Sequence, residues 1–458
     1  MHKIIQSIKE GELSKDYQEE IHGELLRSPR TIVILDDDPT GTQTVHNVPV
    51  ITQWSEEVIA NELLVSPVFF ILTNSRSLHA NEADTLGRVI GQRLSNAAAR
   101  HDKKLVVISR SDSTLRGHYP NEVNALTEGL GWGQAKHILI PAFFEGGRYT
   151  LNDIHYVKEG AEFIPAAETP FASDNTFGYV SSNLKDWIQE KTHGAIKATA
   201  VQSLGLELLR KLPTEEVLHL LNGNSSHFVA NATTYKDLAS LALAGLRSKA
   251  HIVYRTAASF VNAISGIELR ALLEKQEILT QNETHGALVI VGSYVPKTNR
   301  QLAYLRKHSD ASFIELDVAK MVHSASNVKV ISQISKQIDE LIKQKKTAVL
   351  FTAREVIKGD TKEESLKIIN QVSQNLIAIV KKLNNRPRYI LAKGGITSSD
   401  IAVKALNVQR ALILGQVING VPVWQLDEKA RFPKLPYIVF PGNVGEDEAL
   451  FNVTQKLQ

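Results

Sequence analysis

The sequence contains no cysteine among its 458 residues. Disulfide bonds, thiolate nucleophiles and cysteine-ligated zinc are therefore excluded. Long apolar runs are also missing, and none approaches the ~20 residues that a membrane helix needs. The N-terminal stretch MHKIIQSIKEGELSKDYQEE is charged and lacks the apolar core of a signal peptide. We therefore expect a cytoplasmic protein without a membrane partner.

An excess of charge of one sign is missing too. Lysine and arginine number 52 against 49 acidic residues, which leaves a net charge of +3. Since no basic stripe is interleaved with aromatic residues, we do not expect nucleic acid as a partner. Apolar residues make up 43% of the chain, as in ordinary globular proteins, and the length predicts more than one domain.

Short apolar runs alternate with helical patterns along the chain. Such unbroken runs are typical of strands that are buried on both faces of a parallel sheet. The clearest helix is predicted over 362–383, where apolar residues recur at helical spacing. The runs are TIVIL (31–35), VFFIL (68–72), LVVIS (105–109), HILI (137–140), HFVA (227–230), ALVIV (287–291), AVLF (348–351), RYILA (388–392) and YIVF (437–440). The pattern predicts an α/β fold with two domains, each a largely parallel sheet flanked by helices.

Two segments interrupt this alternation. Residues 141–183 are rich in Gly, Pro, Thr and Asn and predict a long functional loop region with a small β-excursion. The polar stretch 276–286 precedes a new strand, so we place the domain boundary there. The predicted domains are residues 1–280 for substrate binding and 285–458 for nucleotide binding.

The stretch VILDDDPTGTQT (33–44) places three aspartates at the end of a predicted buried strand. Like charges at this spacing repel one another and raise one another's pKa, so they need compensation. In open α/β sheets, ligands bind beyond the carboxyl ends of strands, and the loops after four predicted N-terminal strands are polar. Their candidate binding residues are Asp37, Asp38, Thr40, Arg76, Arg110, Asp112, Ser113, Arg116, Gly147 and Arg148.

Both signs of charge in one site fit a small polyhydroxylated acid. Arginines can offset the aspartates and bind the carboxylate of the acid, while the aspartates bind its hydroxyl groups. His118 and His155 lie in the same polar loops, either as substrate contacts or as ordinary loop residues.

The C-terminal half has three strand-to-helix turns that contain glycine. Glycine lets the backbone approach a ligand, and amides at helix N-termini bind phosphate. A Walker motif is absent, but three such turns in one domain predict a nucleotide pocket. The turns lie in VIVGSYVPKTNRQL (289–302), YILAKGGITSSDIAVKAL (389–406) and IVFPGNVGEDEAL (438–450), with candidate residues Ser293, Gly394, Gly395, Ile396, Thr397, Gly442 and Asn443.

Two other functions remain open on these residues. Asp36, Asp38 and Thr40 spell the Asp-x-Asp-x-Thr pattern of haloacid-dehalogenase-type Mg-dependent phosphatases, in which one aspartate attacks phosphorus. That chemistry needs a further acidic pair for Mg²⁺, and the best candidate is Gly359-Asp360. The second alternative is a non-catalytic protein that binds a sugar acid, which would need no nucleotide pocket.

The motifs DDPTG, TNSR, SDSTLRG, PAFFEGGRYT…HYV and ETPFASD together resemble the four-carbon acid sugar kinases, formerly DUF1537. GSYVPKTNRQL, KGGITSSD and GNVGEDEAL resemble the nucleotide-binding domain of that family, and the resemblance spans roughly residues 30 to 450. It implies ATP-dependent phosphorylation of the 4-hydroxyl group of threonate, erythronate or 3-oxo-tetronate. The acid would bind the first domain and ATP the second, with the active site in the interdomain cleft.

The resemblance also suggests roles for single residues. Asp37 and Asp38 match the acidic pair of the family, and we expect one of these two catalytic residues, Asp37 before Asp38, to accept the proton. Arg116 is expected as a further catalytic residue. Asp174, in ETPFASD, joins the substrate-binding set. Mg²⁺ is expected because it bridges the phosphates of ATP; its protein ligands are not assigned. The oligomeric state stays open, with a homodimer as one option.

Overall fold

The computed structural model describes residues 2–212, 214–279, 284–293, 295–317, 327–353 and 362–458. The chain folds as two compact units, Met1–Leu269 and Arg270–Gln458. Residues 270–279, which the sequence analysis assigned to the first domain, lie with the second unit, because Leu273, Ile278 and Leu279 are part of its hydrophobic core. The expected interdomain cleft stays a prediction.

The centre of the first unit is a parallel β-sheet. The strands of this unit are β1 (Thr31–Asp36), β2 (Val48–Ile51), β3 (Val68–Leu72), β4 (Leu105–Arg110), β5 (Lys136–Ile140), β6 (Arg148–Leu151), β7 (Ile154–Glu159), β8 (Glu162–Pro165), β9 (Val201–Leu204), β10 (His227–Ala230) and β11 (Ile252–Thr256). The large sheet has the order β2-β3-β1-β4-β11-β5-β10-β9, and every neighbouring pair is parallel.

Helices cover this sheet. They are α1 (His2–Glu12), α2 (Gln18–Arg27), α3 (Glu56–Val65), α4 (Ala80–Arg100), α5 (Asn121–Gly129), α6 (Leu184–Lys191), α7 (Leu206–Lys211), α8 (Thr214–Asn222), α9 (Tyr235–Arg247) and α10 (Ala258–Ser265). In β1, Val33 and Leu35 share a core with α3, α4 and α5, and the alternate residues Ile32 and Ile34 are buried too. Burial on both faces explains the unbroken apolar runs, so the predicted α/β fold is confirmed.

The irregular segment 141–183 contains a three-stranded antiparallel sheet with the order β6-β7-β8. Asn152 and Asp153 join β6 to β7 with φ values of 53° and 63°. Positive φ at both central residues is the requirement of a tight hairpin turn, which Asn and Asp tolerate. The expected β-excursion is therefore present in this region.

The second unit contains a mixed sheet. Its strands are β12 (Leu288–Val291), β13 (Ser312–Leu316), β14 (Ala348–Thr352), β15 (Ile390–Lys393), β16 (Arg410–Ile418), β17 (Val421–Leu426) and β18 (Pro436–Phe440). The order is β13-β14-β12-β15-β18-β17-β16; β17 is antiparallel to both of its neighbours, and the other pairs are parallel. The sequence analysis missed β16, because its residues alternate between buried and half-buried instead of forming an apolar run.

The helices of the second unit include the long one predicted over 362–383. They are α11 (Lys275–Ile278), α12 (Pro296–His308), α13 (Val328–Lys343), α14 (Lys362–Lys381), α15 (Gly395–Asp400) and α16 (Ala449–Lys456). In α14, Leu376 and Val380 are buried, as the helical spacing predicts. Among the helices described here, none has both the length and the apolar character that a membrane crossing requires.

Helices α4 and α5 pack at short range because glycine lies at their contact. A Cβ atom on Gly91 would lie 2.7 Å from the carbonyl oxygen of Leu126, whereas a Cβ atom on Gly23 in α2 would meet nothing within 4 Å. We expect Gly91→Ala to destabilise the protein by about 1–3 kcal/mol through overpacking. Gly23→Ala should stabilise it by up to about 1 kcal/mol, because alanine favours the helix. Urea unfolding measures both, and a stabilising Gly91→Ala would contradict the packing argument.

Candidate active site

The carboxyl ends of β1, β3 and β4 lie side by side, because these strands are parallel neighbours. Asp36 is in register with Leu72 of β3 and with Arg110 of β4. Beyond the strands, the amide and the hydroxyl group of Thr73 both donate to the carbonyl oxygen of Asp36, each at 2.9 Å. These contacts bring the three polar loops together at one edge of the sheet.

Arginines compensate the buried aspartates of the DDD stretch. Arg76 binds Asp37 through two hydrogen bonds, Nη2 to Oδ1 at 2.6 Å and Nε to Oδ2 at 3.2 Å. Arg110 donates from Nη1 to Asp36 Oδ1 at 3.2 Å and lies 3.7 Å from Asp37 Oδ1. Each buried carboxylate thus has a guanidinium partner, which offsets part of the cost of its burial.

The two buried aspartates differ in their ionisation. Burial raises the pKa of Asp36 to about 7, although Arg110 opposes the shift. Burial acts in the same direction on Asp37, but Arg76, Arg110 and Arg255 outweigh it and hold the pKa of Asp37 below its ordinary value. At neutral pH, Asp37 is therefore an ionised carboxylate, while Asp36 titrates near neutrality.

Asp38 and Thr40 begin a short 3₁₀ turn over Pro39–Thr42. The Oδ1 atom of Asp38 accepts a hydrogen bond from the amide of Thr40 at 2.8 Å. Its Oδ2 atom lies 3.5 Å from Arg76 Nη1, and 16% of its side chain is exposed. Asp38 therefore caps the turn with one oxygen and turns the other towards the arginine.

The loop after β4 adds a second row of charges. Arg116 donates from Nε to Asp112 Oδ2 at 2.8 Å, and its Nη1 atom lies 3.6 Å from Asp174 Oδ2. Burial would raise the pKa of Asp112, but Arg116 and Arg76 hold it far below its ordinary value. Since Arg76 Nη1 also lies 3.9 Å from Asp112 Oδ1, the two rows form one ionic cluster.

The 141–183 segment supports this cluster from one side. The buried side chain of His155 contacts the carbonyl oxygen of Ser113 at 2.8 Å through Nε2, and burial lowers the pKa of this histidine to about 4. The ring of Phe171 lies 5.1 Å below the guanidinium of Arg116 and 5.8 Å from that of Arg148. His155 and Ser113 thus fix the loop after β4.

Gly147 and His118 have structural contacts in this unit. The amide of Gly147 donates to the carbonyl oxygen of Phe144 at 2.9 Å, and its carbonyl oxygen accepts from the amide of Lys158 at 2.8 Å. The φ of Gly147 is 76°. His118 Nε2 contacts the carbonyl oxygen of Leu78 at 3.1 Å. Both residues therefore hold the backbone beside the cluster.

The sequence analysis missed a buried group behind Asp37. Arg255 of β11 pairs with Glu122 of α5 at 3.0 Å and donates to the hydroxyl groups of Ser109 and Ser111 at 2.7 and 2.8 Å. The sequence feature that could have revealed this group is an arginine inside the apolar run IVYRT (252–256). Charged residues are seldom buried unless they are paired, so this position indicated a partner.

In the second unit, the three predicted glycine turns meet. The amide of Gly394 donates to the carbonyl oxygen of Phe440 at 2.8 Å, which ties the turn after β15 to the end of β18. A Cβ atom on Gly394 would lie 3.0 Å from Ser293 Cβ, and one on Gly442 would lie 3.0 Å from Ser293 Oγ. Thr298 adds a hydrogen bond from Oγ1 to the carbonyl oxygen of Gly442 at 2.9 Å. We call these three turns, 292–293, 394–397 and 441–443, the glycine cradle.

Lys393 lies fully buried beneath the glycine cradle. Its Nζ atom donates to the carbonyl oxygen of Pro441 at 2.9 Å and lies 3.8 Å from the ring centroid of Phe440. Burial lowers the pKa of Lys393 well below its ordinary value, and Lys297 lowers it further. The lysine joins two turns of the cradle through a single side chain.

The outer groups of the cradle differ in exposure. Ile396 is exposed, as is Asn443, while Gly395 and Thr397 are half-buried. Within the described ranges, no cluster of three or more His, Asp or Glu residues is arranged to hold a metal ion. Asp360, the candidate for a phosphatase metal site, lies outside those ranges.

Comparison with known proteins assigns each unit to a domain family. A profile described as a sugar-binding N-terminal domain matches residues 32–264, and one described as a nucleotide-binding C-terminal domain matches residues 288–450. The first match contains the ionic cluster, and the second contains the glycine cradle.

Curated relatives agree with this assignment, and a solved structure shares the fold. The chain is 23% identical over 442 residues to a D-threonate kinase of Salmonella typhimurium, covering 92% of this chain and 96% of that protein. It is 23% identical over 320 residues to a D-erythronate kinase of Heliobacterium modesticaldum, covering 67% of each. The fold matches a Haemophilus influenzae protein, HI1011, described as DUF1537, with a TM-score of 0.60 at 18% identity over 93% of this chain and all of that one. The chain belongs to the four-carbon acid sugar kinase family.

Proposed function

We propose that the protein is an ATP-dependent kinase that phosphorylates the 4-hydroxyl group of a four-carbon sugar acid of the threonate, erythronate or 3-oxo-tetronate type. The observation that carries the proposal is the ionic cluster, in which contacts join carboxylates and arginines of the loops after β1, β3 and β4. The similarity to proteins named D-threonate kinase and D-erythronate kinase supports the substrate class.

The exposure of the arginines suggests a division of roles. The side chain of Arg110 is 5% exposed, whereas those of Arg76 and Arg116 are 19% and 22% exposed. Arg110 is therefore suited to neutralising Asp36 and Asp37 inside the protein. Arg76 and Arg116 retain accessible surface with which a guanidinium can bind the carboxylate of the acid.

Asp37 is the proposed acceptor for the reacting hydroxyl group. Its lowered pKa keeps it ionised at neutral pH, so it can accept the hydrogen bond and orient the oxygen towards phosphorus. Asp38 adds a second carboxylate beside it. Phosphoryl transfer depends mostly on position and charge, since its transition state is loose, so a weak base is sufficient.

The glycine cradle is the proposed site for the phosphates of ATP. Gly394 and Gly442 lie close to Ser293. Because glycine has no side chain, a phosphate can approach the backbone of these two turns. Ser293, Gly394 to Thr397, Gly442 and Asn443 would hold the nucleotide. ATP supplies the phosphoryl group and arrives with Mg²⁺, an ion that commonly binds through phosphate oxygens and water.

The phosphatase alternative receives less support. Its nucleophile would be Asp36, but the carboxylate of this residue lies against Gly41, where even one added Cβ atom would collide with it. Its pKa of about 7 also leaves it partly protonated at neutral pH, which weakens a nucleophile. The alternative of a sugar-acid sensor leaves the glycine cradle without a role.

A substrate panel tests the proposal. Threonate and erythronate in both enantiomeric forms, together with 3-oxo-tetronates, are incubated with Mg-ATP while ADP release is recorded. Turnover with at least one four-carbon acid, and product phosphorylated at the 4-position, is expected. Release of phosphate from sugar phosphates without ATP would instead identify a phosphatase, and acid binding without turnover would identify a sensor.

Asp37→Asn should lower kcat by ~10²-fold or more, because an amide cannot accept the proton of the hydroxyl group. The affinity for ADP, measured by calorimetry, should stay near that of the wild type. Asp84→Asn is the control, since Asp84 forms a surface pair with Arg88 on α4. If Asp37→Asn turns over like this control, Asp37 has no role in the transfer.

Gly442→Val should weaken ADP binding by ~10-fold or more, which corresponds to a loss of about 1.4 kcal/mol or more in binding free energy. Its side chain would push against Ser293, whose Oγ atom would lie 3.0 Å from the new Cβ atom. Gly133→Val is the matched control, because a Cβ atom there meets nothing within 4 Å. Unchanged ADP affinity in Gly442→Val would remove this turn from the proposed nucleotide site.

A further inference from the structure

A buried ion pair lies behind Asp37 and shares a hydroxyl group with it. The side chains of Arg255 and Glu122 are only 6% and 11% exposed, and their charged atoms lie 3.0 Å apart. Arg255 Nη2 donates to Ser111 Oγ at 2.8 Å, and Ser111 Oγ donates to Asp37 Oδ2 at 2.6 Å. Four side chains from α5, β11, the loop after β4 and the loop after β1 thus form one chain of contacts.

The chemistry of these groups fixes the direction of the hydrogen bonds. A guanidinium only donates, so the Ser111 oxygen must accept from Arg255. Its one hydrogen is then left for an acceptor, either Asp37 Oδ2 at 2.6 Å or the carbonyl oxygen of Arg116 at 3.1 Å. The charged and closer acceptor is the stronger one, so the hydrogen points at Asp37.

The contact chain leaves no space for a side chain at residue 117. A Cβ atom on Gly117 would lie 2.6 Å from Ser111 Oγ and 2.8 Å from Arg255 Nη2, and the φ of Gly117 is 136°. A buried ion pair is a weak source of stability, because desolvation offsets the attraction of its charges. Orientation of a neighbouring side chain therefore explains the Arg255–Glu122 pair better than a contribution to stability does.

We propose that Arg255 is a positioning residue for Asp37, which it orients through the hydroxyl group of Ser111. This inference rests on the proposed function, in which Asp37 receives the reacting hydroxyl group. Glu122 holds the guanidinium in place from the other side, and the hydroxyl group of Ser75 donates to Glu122 Oε1. The carboxylate of Asp37 is thereby held from two sides, by Arg76 and by Ser111.

The same arrangement predicts a pH dependence. The charged groups around Asp37 are Asp36 and Asp38 on its own chain segment, Arg76 after β3, Arg110 on β4, Asp112 and Arg116 in the loop after β4, Glu122 on α5 and Arg255 on β11. Arg255 is one of the cations that lower the pKa of Asp37. Loss of the Ser111 hydrogen bond removes a donor to the ionised form, so the pKa of Asp37 rises and activity is lost at a higher pH on the acid side.

The test compares Ser111→Ala, Arg255→Lys and the double variant. Lysine keeps the positive charge but cannot reach Ser109, Ser111 and Glu122 together. Each single variant should lower kcat by about 10-fold to 100-fold, as a misplaced catalytic group does, leave the KM for ATP unchanged and move the acidic limb of kcat/KM to higher pH. The double variant should be no worse than the more impaired single variant, since both break the same contact chain.

Arg210→Lys is the control for loss of a buried pair. Arg210 binds Asp237 at 2.6 Å, with side chains 10% and 0% exposed, and its contacts do not include the Asp37 chain. This variant should lose stability, yet the acidic limb of its kcat/KM profile should stay at the pH of the wild type. If Ser111→Ala and Arg255→Lys also lose only stability, Arg255 is structural and the inference fails.

The pH dependence of stability separates this inference from the proposed function. The lowered pKa of Asp37 stabilises the fold above the unfolded pKa, and that stability is lost as the pH falls through the folded pKa. Should the wild type phosphorylate none of the acids, the proposed function fails, and urea unfolding at pH 7 and pH 2 still tests the contact chain. Ser111→Ala and Arg255→Lys should then lose more stability at pH 7 than at pH 2, where Asp37 is protonated; an equal loss at both values would overturn the inference.

Discussion

The compensation of three adjacent aspartates is the constraint around which the first unit is organised. A parallel sheet brings the carboxyl ends of its strands to one edge, so the DDD stretch after β1 meets the loops after β3 and β4. Buried carboxylates without partners would be too costly. Arg76 and Arg110, each from a different neighbouring loop or strand end, meet that requirement. Arg76 also lies near Asp112, which connects Arg116 and Asp174 to the same cluster.

Burial and pairing together do more than balance charge, because they give two adjacent carboxylates different pKa values. Asp36 is deeper, has one arginine at 3.2 Å and a raised pKa, whereas Asp37 accepts from Arg76 and Ser111 and has a lowered pKa. Environments that push the pKa values of neighbouring acids apart are a common way to assign them different roles. The second unit relies on a different device, the absence of side chains at Gly394 and Gly442 beside Ser293.

Local patterns predicted the central strands and the polar loops, because burial on both faces leaves an unbroken apolar run. They failed where burial is one-sided or a run is short, as in β16, whose residues alternate between buried and half-buried. They also failed for Arg255, since nothing local to the IVYRT segment shows that Glu122 and Ser111, far away in sequence, lie beside its guanidinium. His155 was singled out for its polar surroundings, yet tertiary contacts make it a support for the Ser113 backbone.

The sequence by itself determined the α/β alternation, the composition of the strand-end loops and the three glycine turns, because these depend on residues close together in the chain. Only the tertiary structure decided which arginine pairs with which aspartate, which carboxylate is ionised at neutral pH and that Gly394 and Gly442 both approach Ser293. Those properties depend on distances of a few ångströms between segments remote in the chain. Such distances are set by strand order and register, which no local pattern specifies.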